Sequence, residues 1–122
     1  MPMNQLFRLL NPLLLLKAFR NSLSGLVHAV KSERAIQQEV VLLIAGIVGA
    51  LLLTDVALER AVLIGSLAIV LAFELMNSAI EATIDRIGTE ENILSKRAKD
   101  LGSAAVLISL AIAVAIWLIV LI

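Results

Sequence analysis

The stretch Ala72–Arg86, AFELMNSAIEATIDR, decides how this sequence is interpreted. It continues a long apolar run, yet it contains three carboxylates, Glu74, Glu81 and Asp85. A charged side chain at the centre of a membrane-spanning helix costs roughly 2.5–3.5 kcal/mol on insertion scales. Residues that carry such a cost predict a functional site.

On a helix, the polar residues of this stretch share one face. Counted from Glu74 they follow at i+3, i+4, i+7 and i+11, which covers an arc of about 100°. Glu74 and Glu81 are then about 10.5 Å apart along the axis, too far to share one proton. The spacing predicts two carboxylates at different depths, with Glu74 the deeper. The residues of this polar face are Glu74, Asn77, Ser78, Glu81 and Asp85.

Composition places the chain in a membrane. Of its 122 residues 61% are hydrophobic, and the mean hydropathy is +1.03. Ten basic and ten acidic residues cancel, so net charge indicates no partner. The absence of cysteine from the sequence excludes disulfides, thiolate metal sites and a thiol nucleophile. Three Phe and one Trp are too few for base stacking, so no nucleic-acid partner is expected.

Three apolar segments are long enough to cross a bilayer, which requires about 20 residues in a helix. A charged connection over 85–100 separates the second segment from the third. The pattern predicts an all-α membrane protein that forms a single domain over 1–122. The predicted spans are 36–54, 61–84 and 101–122.

The basic residues predict the orientation of the spans. Nine of the ten lie before the first span or within 85–100, and Arg60 is the exception. By the positive-inside rule the N-terminus and the 85–100 connection are cytoplasmic. The short 54–60 break and the C-terminus then face the other side.

Residues from about 12 to 31 predict a helix of another kind. Lys17, Arg20, His28 and Lys31 fall on one side at helical spacing, and leucine and valine occupy the other. Such a helix lies in the membrane interface. Asn11-Pro12 marks its start, because proline suits the first helical turn. The alternative is a helix packed on a soluble domain, but the sequence contains no such domain.

Further polar residues are predicted at the cytoplasmic ends of the spans. Carboxylate oxygens suit Mg²⁺, which binds through one or two carboxylates plus substrate phosphates, and a lysine suits phosphate. Alternatively, Glu74 is a neutral acid that joins helices or a snorkelling acid that fixes helix depth, and Lys99 is a membrane anchor. Carboxylates that face lipid are costly, so we expect neighbouring chains to cover them. The set is Glu33, Glu39, Glu74, Asn77, Glu81, Lys99 and Asp100, with Ser103 one turn inside the third span.

Three blocks resemble the bacterial integral-membrane diacylglycerol kinase family, over about Lys17 to Trp117. They are ELMNSAIEATIDRIG (Glu74–Gly88), LSKRAKDLGSAAVLI (Leu94–Ile108) and, more loosely, SERAIQQE (Ser32–Glu39). Their order among three spans makes the resemblance specific. The chain departs from the family pattern at Leu14, Asn21 and Gln37. Arg8 and Arg20 are candidates to replace a family arginine that is missing from the N-terminal region.

The resemblance implies a homotrimer in the bacterial inner membrane, with the C-terminus periplasmic. It implies transfer of the ATP γ-phosphoryl group to diacylglycerol, which gives phosphatidic acid. Glu74 would be the general base, and Glu33 and Glu81 would hold Mg²⁺ and, through it, ATP. The implied ATP-side network also includes Asn77, Glu90, Glu91, Asn92, Lys99 and Asp100, and the lipid-contact surface includes Glu39, Arg60, Glu74 and Ser103.

Two other functions remain open from the residues. A kinase that acts on a polyprenol such as undecaprenol would need the same carboxylates. A non-enzymatic cation conduit lined by Glu74 and Glu81 is the alternative from a different class. Lipid-dependent transfer of phosphate from ATP distinguishes an enzyme from a conduit.

Overall fold

The computed structural model describes residues 2–122, and all regular structure in that range is α-helical. Contacts divide the chain into two units, one that ends at Glu33 and one that begins at Arg34. The N-terminal unit contains α1 and α2, and the second unit contains α3, α4 and α5. The bounds are α1 Met3–Leu9, α2 Pro12–Ser32, α3 Arg34–Leu53, α4 Ala57–Ile87 and α5 Ile93–Leu121.

The N-terminal unit consists of a short and a long helix. α2 begins at Pro12, where the Asn-Pro pair predicts a start, and the Asn11 side chain accepts a hydrogen bond from the Leu13 amide at 3.0 Å. This bond satisfies one amide of the first turn. α1 was not predicted from the sequence. Placement of α2 at a membrane surface stays a prediction.

α3, α4 and α5 are each long and apolar enough to cross a membrane, as the sequence predicts. Within the chain, only 17%, 28% and 17% of their most apolar 18-residue segments are buried. Apolar surface of this extent must be covered by lipid or by other chains. The protein is therefore a three-span membrane protein.

α4 is the central helix of the second unit, because it packs against both α3 and α5. Trp117 links α5 to α4 through its indole N–H, which donates to the carbonyl oxygen of Leu63 at 3.2 Å. Gly46 allows α3 to approach, since a Cβ there would collide with the Leu67 side chain. The core consists of Leu67, Val70 and Ala113, with Leu43, Leu110 and Trp117 packed against it.

Arg60 closes the turn between α3 and α4. Its Nε donates to the carbonyl oxygen of Thr54 at 2.7 Å, and its Nη2 donates to that of Leu51 at 2.9 Å. Nη2 also pairs with Asp55 at 3.3 Å. Because the last carbonyls of a helix lack partners within the helix, these bonds cap α3. The Thr54 hydroxyl donates to the Glu59 carboxylate and tightens the same turn.

α4 and α5 are longer than the apolar spans that they contain. Their 31 and 29 residues extend about 46 and 44 Å, against about 30 Å of hydrocarbon. Most of the connection predicted over 85–100 is therefore helical, and only 88–92 lies outside a helix. Asn92 starts α5 by accepting bonds from the amides of Leu94 and Ser95 at 2.9 and 3.2 Å. The helices therefore continue past the predicted apolar spans into the charged residues.

Candidate functional site

The predicted polar face of α4 changes in exposure along the helix. Asn77 is buried, with 8% of its surface exposed, and Glu74 and Ser78 are half-buried. Glu81 and Asp85, nearer the end of the helix, are exposed. The polar face therefore passes from a half-buried acid to exposed carboxylates, and the depths of Glu74 and Glu81 in the membrane stay a prediction.

Asn77 connects this face to α5. Its Nδ2 donates to Oε1 of Glu81 at 3.4 Å, one turn along α4. Its Oδ1 is buried, has no hydrogen-bond partner among the described residues, and lies against Gly102 of α5. A side chain at Gly102 would occupy the position of that oxygen, so this glycine allows the amide to fit between the helices.

Two ion pairs join charged groups at the ends of α4 and α5. Lys99 Nζ lies 2.8 Å from Oδ1 of Asp85, and Lys96 Nζ lies 2.6 Å from Oδ2 of Asp100. The hydrogen bond that Lys99 donates to Asp85 is the main cause that raises the pKa of Lys99 above its ordinary value. The bond to Asp100 raises the pKa of Lys96 in the same way. Both lysines are therefore ammonium groups at neutral pH.

A polar pocket of about 330 Å³ lies at the turn between α4 and α5. It brings together five residues predicted for the ATP side, namely Glu90, Glu91, Asn92, Lys99 and Asp100. Four carboxylates and two ammonium groups line it, so the pocket is acidic overall. An anionic polyphosphate would require an accompanying cation here. The charged lining residues are Asp85, Glu90, Glu91, Lys96, Lys99 and Asp100.

The other predicted ATP-side residues lie outside this pocket. Asn77 and Glu81 lie on α4, and Glu33 belongs to the N-terminal unit. Within residues 2–122, no three histidine or acidic side chains converge to form a metal site. A chain with these donors does not provide a complete cage of protein ligands.

The residues predicted for lipid contact are spread over three helices. Glu39 on α3 is half-buried, and its Oε2 has no hydrogen-bond partner in the described part of the chain. Ser103 on α5 is exposed. Arg60 lies 14 residues before Glu74 on α4, about 21 Å along the axis. Its observed contacts cap α3, which is a structural role that the sequence prediction did not include.

Sequence reasoning missed two parts of this site. It gave Asp85 no partner, because 14 positions separate Asp85 from Lys99 in sequence. It also did not assign a role to Gly102. A glycine beside small residues in DLGSAA is the only signal of close helix approach in that block.

The fold and the site define a small, all-helical membrane protein with an acidic polar site at one end of α4 and α5. The chain belongs to the prokaryotic diacylglycerol kinase family, whose profile matches residues 20–121. It is 47% identical over 107 residues to the diacylglycerol kinase of Escherichia coli K12, and the match covers 88% of each chain. The Haemophilus influenzae enzyme of that name is 43% identical over 103 residues, which is 84% of this chain and 87% of the relative. The Pseudomonas aeruginosa enzyme is 43% identical over 103 residues, which is 84% of each chain. The family resemblance of the three sequence blocks is thus confirmed, and the chain is a kinase.

Proposed function

We propose that the chain transfers the γ-phosphoryl group of ATP to the primary hydroxyl of diacylglycerol, giving phosphatidic acid and ADP. The observation that carries the proposal is the graded polar face of α4, from half-buried Glu74 to exposed Asp85, beside the pocket at the α4–α5 turn. This order suits an acceptor held in the apolar layer and a donor that arrives from water. Membership of the family supports the identity of both reactants.

Glu74 is the proposed general base. As the lipid oxygen bonds to the γ-phosphorus, Glu74 accepts the hydroxyl proton, and the bond from that phosphorus to the β–γ bridging oxygen breaks. The broken bond leaves its electron pair on ADP. Phosphoryl transfer depends mostly on positioning and charge neutralisation, so the surrounding residues have more to contribute than covalent chemistry. The half-buried position of Glu74 supports its role at the level of the lipid hydroxyl.

The exposed end of the site is the proposed position for ATP. Lys99 would contact phosphate, and Glu33 and Glu81 would hold Mg²⁺, which supplies charge neutralisation when it is bound. The acidic lining of the pocket supports entry of the nucleotide together with a cation. The further residues proposed for the ATP side are Asn77, Glu90, Glu91, Asn92 and Asp100.

The lipid side and the assembly complete the proposal. Glu39, Arg60 and Ser103, together with Glu74, would contact the lipid substrate along the spans. Three chains would form a homotrimer in the bacterial inner membrane, with the N-terminus cytoplasmic and the C-terminus periplasmic. The large exposed apolar surface of α3, α4 and α5 supports burial against other chains as well as lipid.

A polyprenol kinase is the nearest alternative, because it would use the same carboxylates. The name shared by the relatives from Escherichia coli, Haemophilus influenzae and Pseudomonas aeruginosa favours diacylglycerol. The test is transfer of radioactive phosphate from ATP to lipid in mixed micelles that contain diacylglycerol, undecaprenol or neither. We expect labelled phosphatidic acid with diacylglycerol. Labelled undecaprenyl phosphate alone would support the alternative substrate, and no labelled lipid from folded protein would support a conduit.

A further inference from the structure

The N-terminal unit contains an amphipathic segment outside the polar site. α1 (Met3–Leu9) and Leu10 precede residue 20, where the family match begins. At 100° per residue, the side chains of Met3, Leu6, Phe7 and Leu10 fall within an arc of about 100°. Asn4, Gln5 and Arg8 form a polar side, with Gln5 opposite Phe7, and Leu9 lies at its edge between Gln5 and Leu6.

The apolar side of α1 is open. Met3, Leu6, Phe7 and Leu10 are 72%, 50%, 69% and 70% exposed. The helix has seven residues and no side-chain hydrogen bond at its N-cap. Isolated helices shorter than about 12–15 residues are marginal in water, so α1 needs a surface that buries its apolar side.

The charge of the N-terminal unit indicates the chemistry of that surface. The first 32 residues contain four cationic side chains, and the first acidic residue is Glu33. Basic residues beside an amphipathic helix are attracted to anionic lipid headgroups. A second copy of the unit would bring like charges together, which disfavours it as the covering surface. The four cationic residues are Arg8, Lys17, Arg20 and Lys31.

We propose that α1 docks on an anionic bilayer surface. Its apolar side, which includes Phe7, enters the boundary between headgroups and acyl chains. Arg8, on the polar side, remains among the headgroup phosphates. The segment precedes residues 20–121, which the family profile matches, and contains none of the residues proposed for phosphoryl transfer.

The absence of cysteine from the sequence allows a direct test in the full-length protein. Phe7→Cys and the matched control Gln5→Cys, about 160° apart at 100° per residue, place a single label on opposite sides of α1. Each labelled protein is reconstituted into vesicles of zwitterionic lipid, with or without an anionic lipid. Access to the label from water is then measured with the neutral quencher acrylamide.

We expect the label at position 7 to be shielded in anionic vesicles, while the label at position 5 remains accessible. Shielding should decrease in zwitterionic vesicles, at high salt and on adding Arg8→Gln, which should weaken docking about fivefold, the factor expected for one basic residue. Equal access at positions 7 and 5 in anionic vesicles would overturn the proposal. Shielding that is independent of anionic lipid, or that grows with protein density in the vesicle, would also overturn it.

Discussion

Asn77 on α4 and Gly102 on α5 are in direct contact, with the amide oxygen of Asn77 in the space that a Cβ at position 102 would need. The amide nitrogen of the same side chain donates to Glu81. Because Gly102 has no side chain, α4 and α5 can approach closely here, and Asn77 can hold the orientation of Glu81, a proposed metal ligand.

Gly102→Ala should impair the site more than it impairs the fold. The added methyl displaces Asn77, and overpacking of this type destabilises by roughly 1–3 kcal/mol. A displacement of about 1 Å near reacting groups can cost on the order of 10²-fold in rate. Turnover, the KM for Mg·ATP and thermal stability should be measured together. Gly65→Ala is the matched control, since a Cβ there meets nothing within 4 Å. Normal turnover in Gly102→Ala would show that the contact has no role in positioning.

Glu74→Gln should abolish most phosphoryl transfer while leaving ATP binding and thermal stability near their normal values. An amide keeps the shape and can form hydrogen bonds, but it cannot accept the hydroxyl proton. General-base catalysis is typically worth ~10²–10⁴-fold, so a decrease of that order is expected. Glu59→Gln on the same helix is the control and should retain activity. An active and stable Glu74→Gln enzyme would show that Glu74 is not the general base. Glu74 would then serve to join helices or to fix their depth in the membrane.

Glu81→Gln should raise the Mg²⁺ concentration required for half-maximal activity. The substitution removes a negatively charged ligand with little change in volume, and the amide oxygen can still accept the bond from Asn77. Activity should be titrated with Mg²⁺ at fixed ATP, with lipid binding as a control. An unchanged Mg²⁺ dependence would move the metal role to other carboxylates, first of all Glu33.

Asp85→Asn and Lys99→Met should have different effects although they break the same ion pair. Lys99→Met should raise the KM for ATP because it removes a proposed phosphate contact, whereas Asp85→Asn should not. Thermal stability should change little in either, since exposed ion pairs contribute little. The pair raises the pKa of Lys99, so its contribution is present below the ordinary lysine value of about 10.4 and is lost as pH rises through the higher folded-state value. Equal KM increases in both variants would indicate a structural pair.

The active protein should be a trimer in detergent. The apolar segments of its three spans are mostly unburied within one chain, and the carboxylates of α4 need protection from lipid. Light scattering with refractive-index detection gives the protein mass apart from bound detergent. A monomer of 13.1 kDa in a fraction that retains full activity would exclude the homotrimer.

Periodicity and hydropathy predicted three spans, the start of α2 and the polar face of α4, because each depends on local sequence. The order of Glu74 and Glu81 by depth in the membrane stays a prediction. The ends of α4 and α5 were harder to predict, since charges show where water begins and say little about where a helix stops. Asn92, which caps α5, lies inside the region predicted as a connection.

The contacts between helices could not be predicted from spacing alone. Lys99 meets Asp85, and Asn77 meets Gly102, only after α4 and α5 have packed together. Arg60 is a similar case, because its bonds to the carbonyls of Leu51 and Thr54 depend on a tight turn. Glu33 belongs to the N-terminal unit, so its place in the proposed site stays a prediction.

The unbroken length of α4 has a consequence for the membrane around the enzyme. Glu74 and Glu81 are fixed about 10.5 Å apart on one rigid helix, so a change in lipid thickness cannot bring them closer or separate them. It can only shift the whole helix relative to the headgroups, by tilt or by local adjustment of the bilayer. The acyl-chain length of the host lipids would thereby determine whether Glu74, the proposed base, or Glu81, the proposed metal ligand, lies level with the hydroxyl of the substrate. Under the proposed roles, lipid thickness would control catalysis while the geometry of the helix stays unchanged.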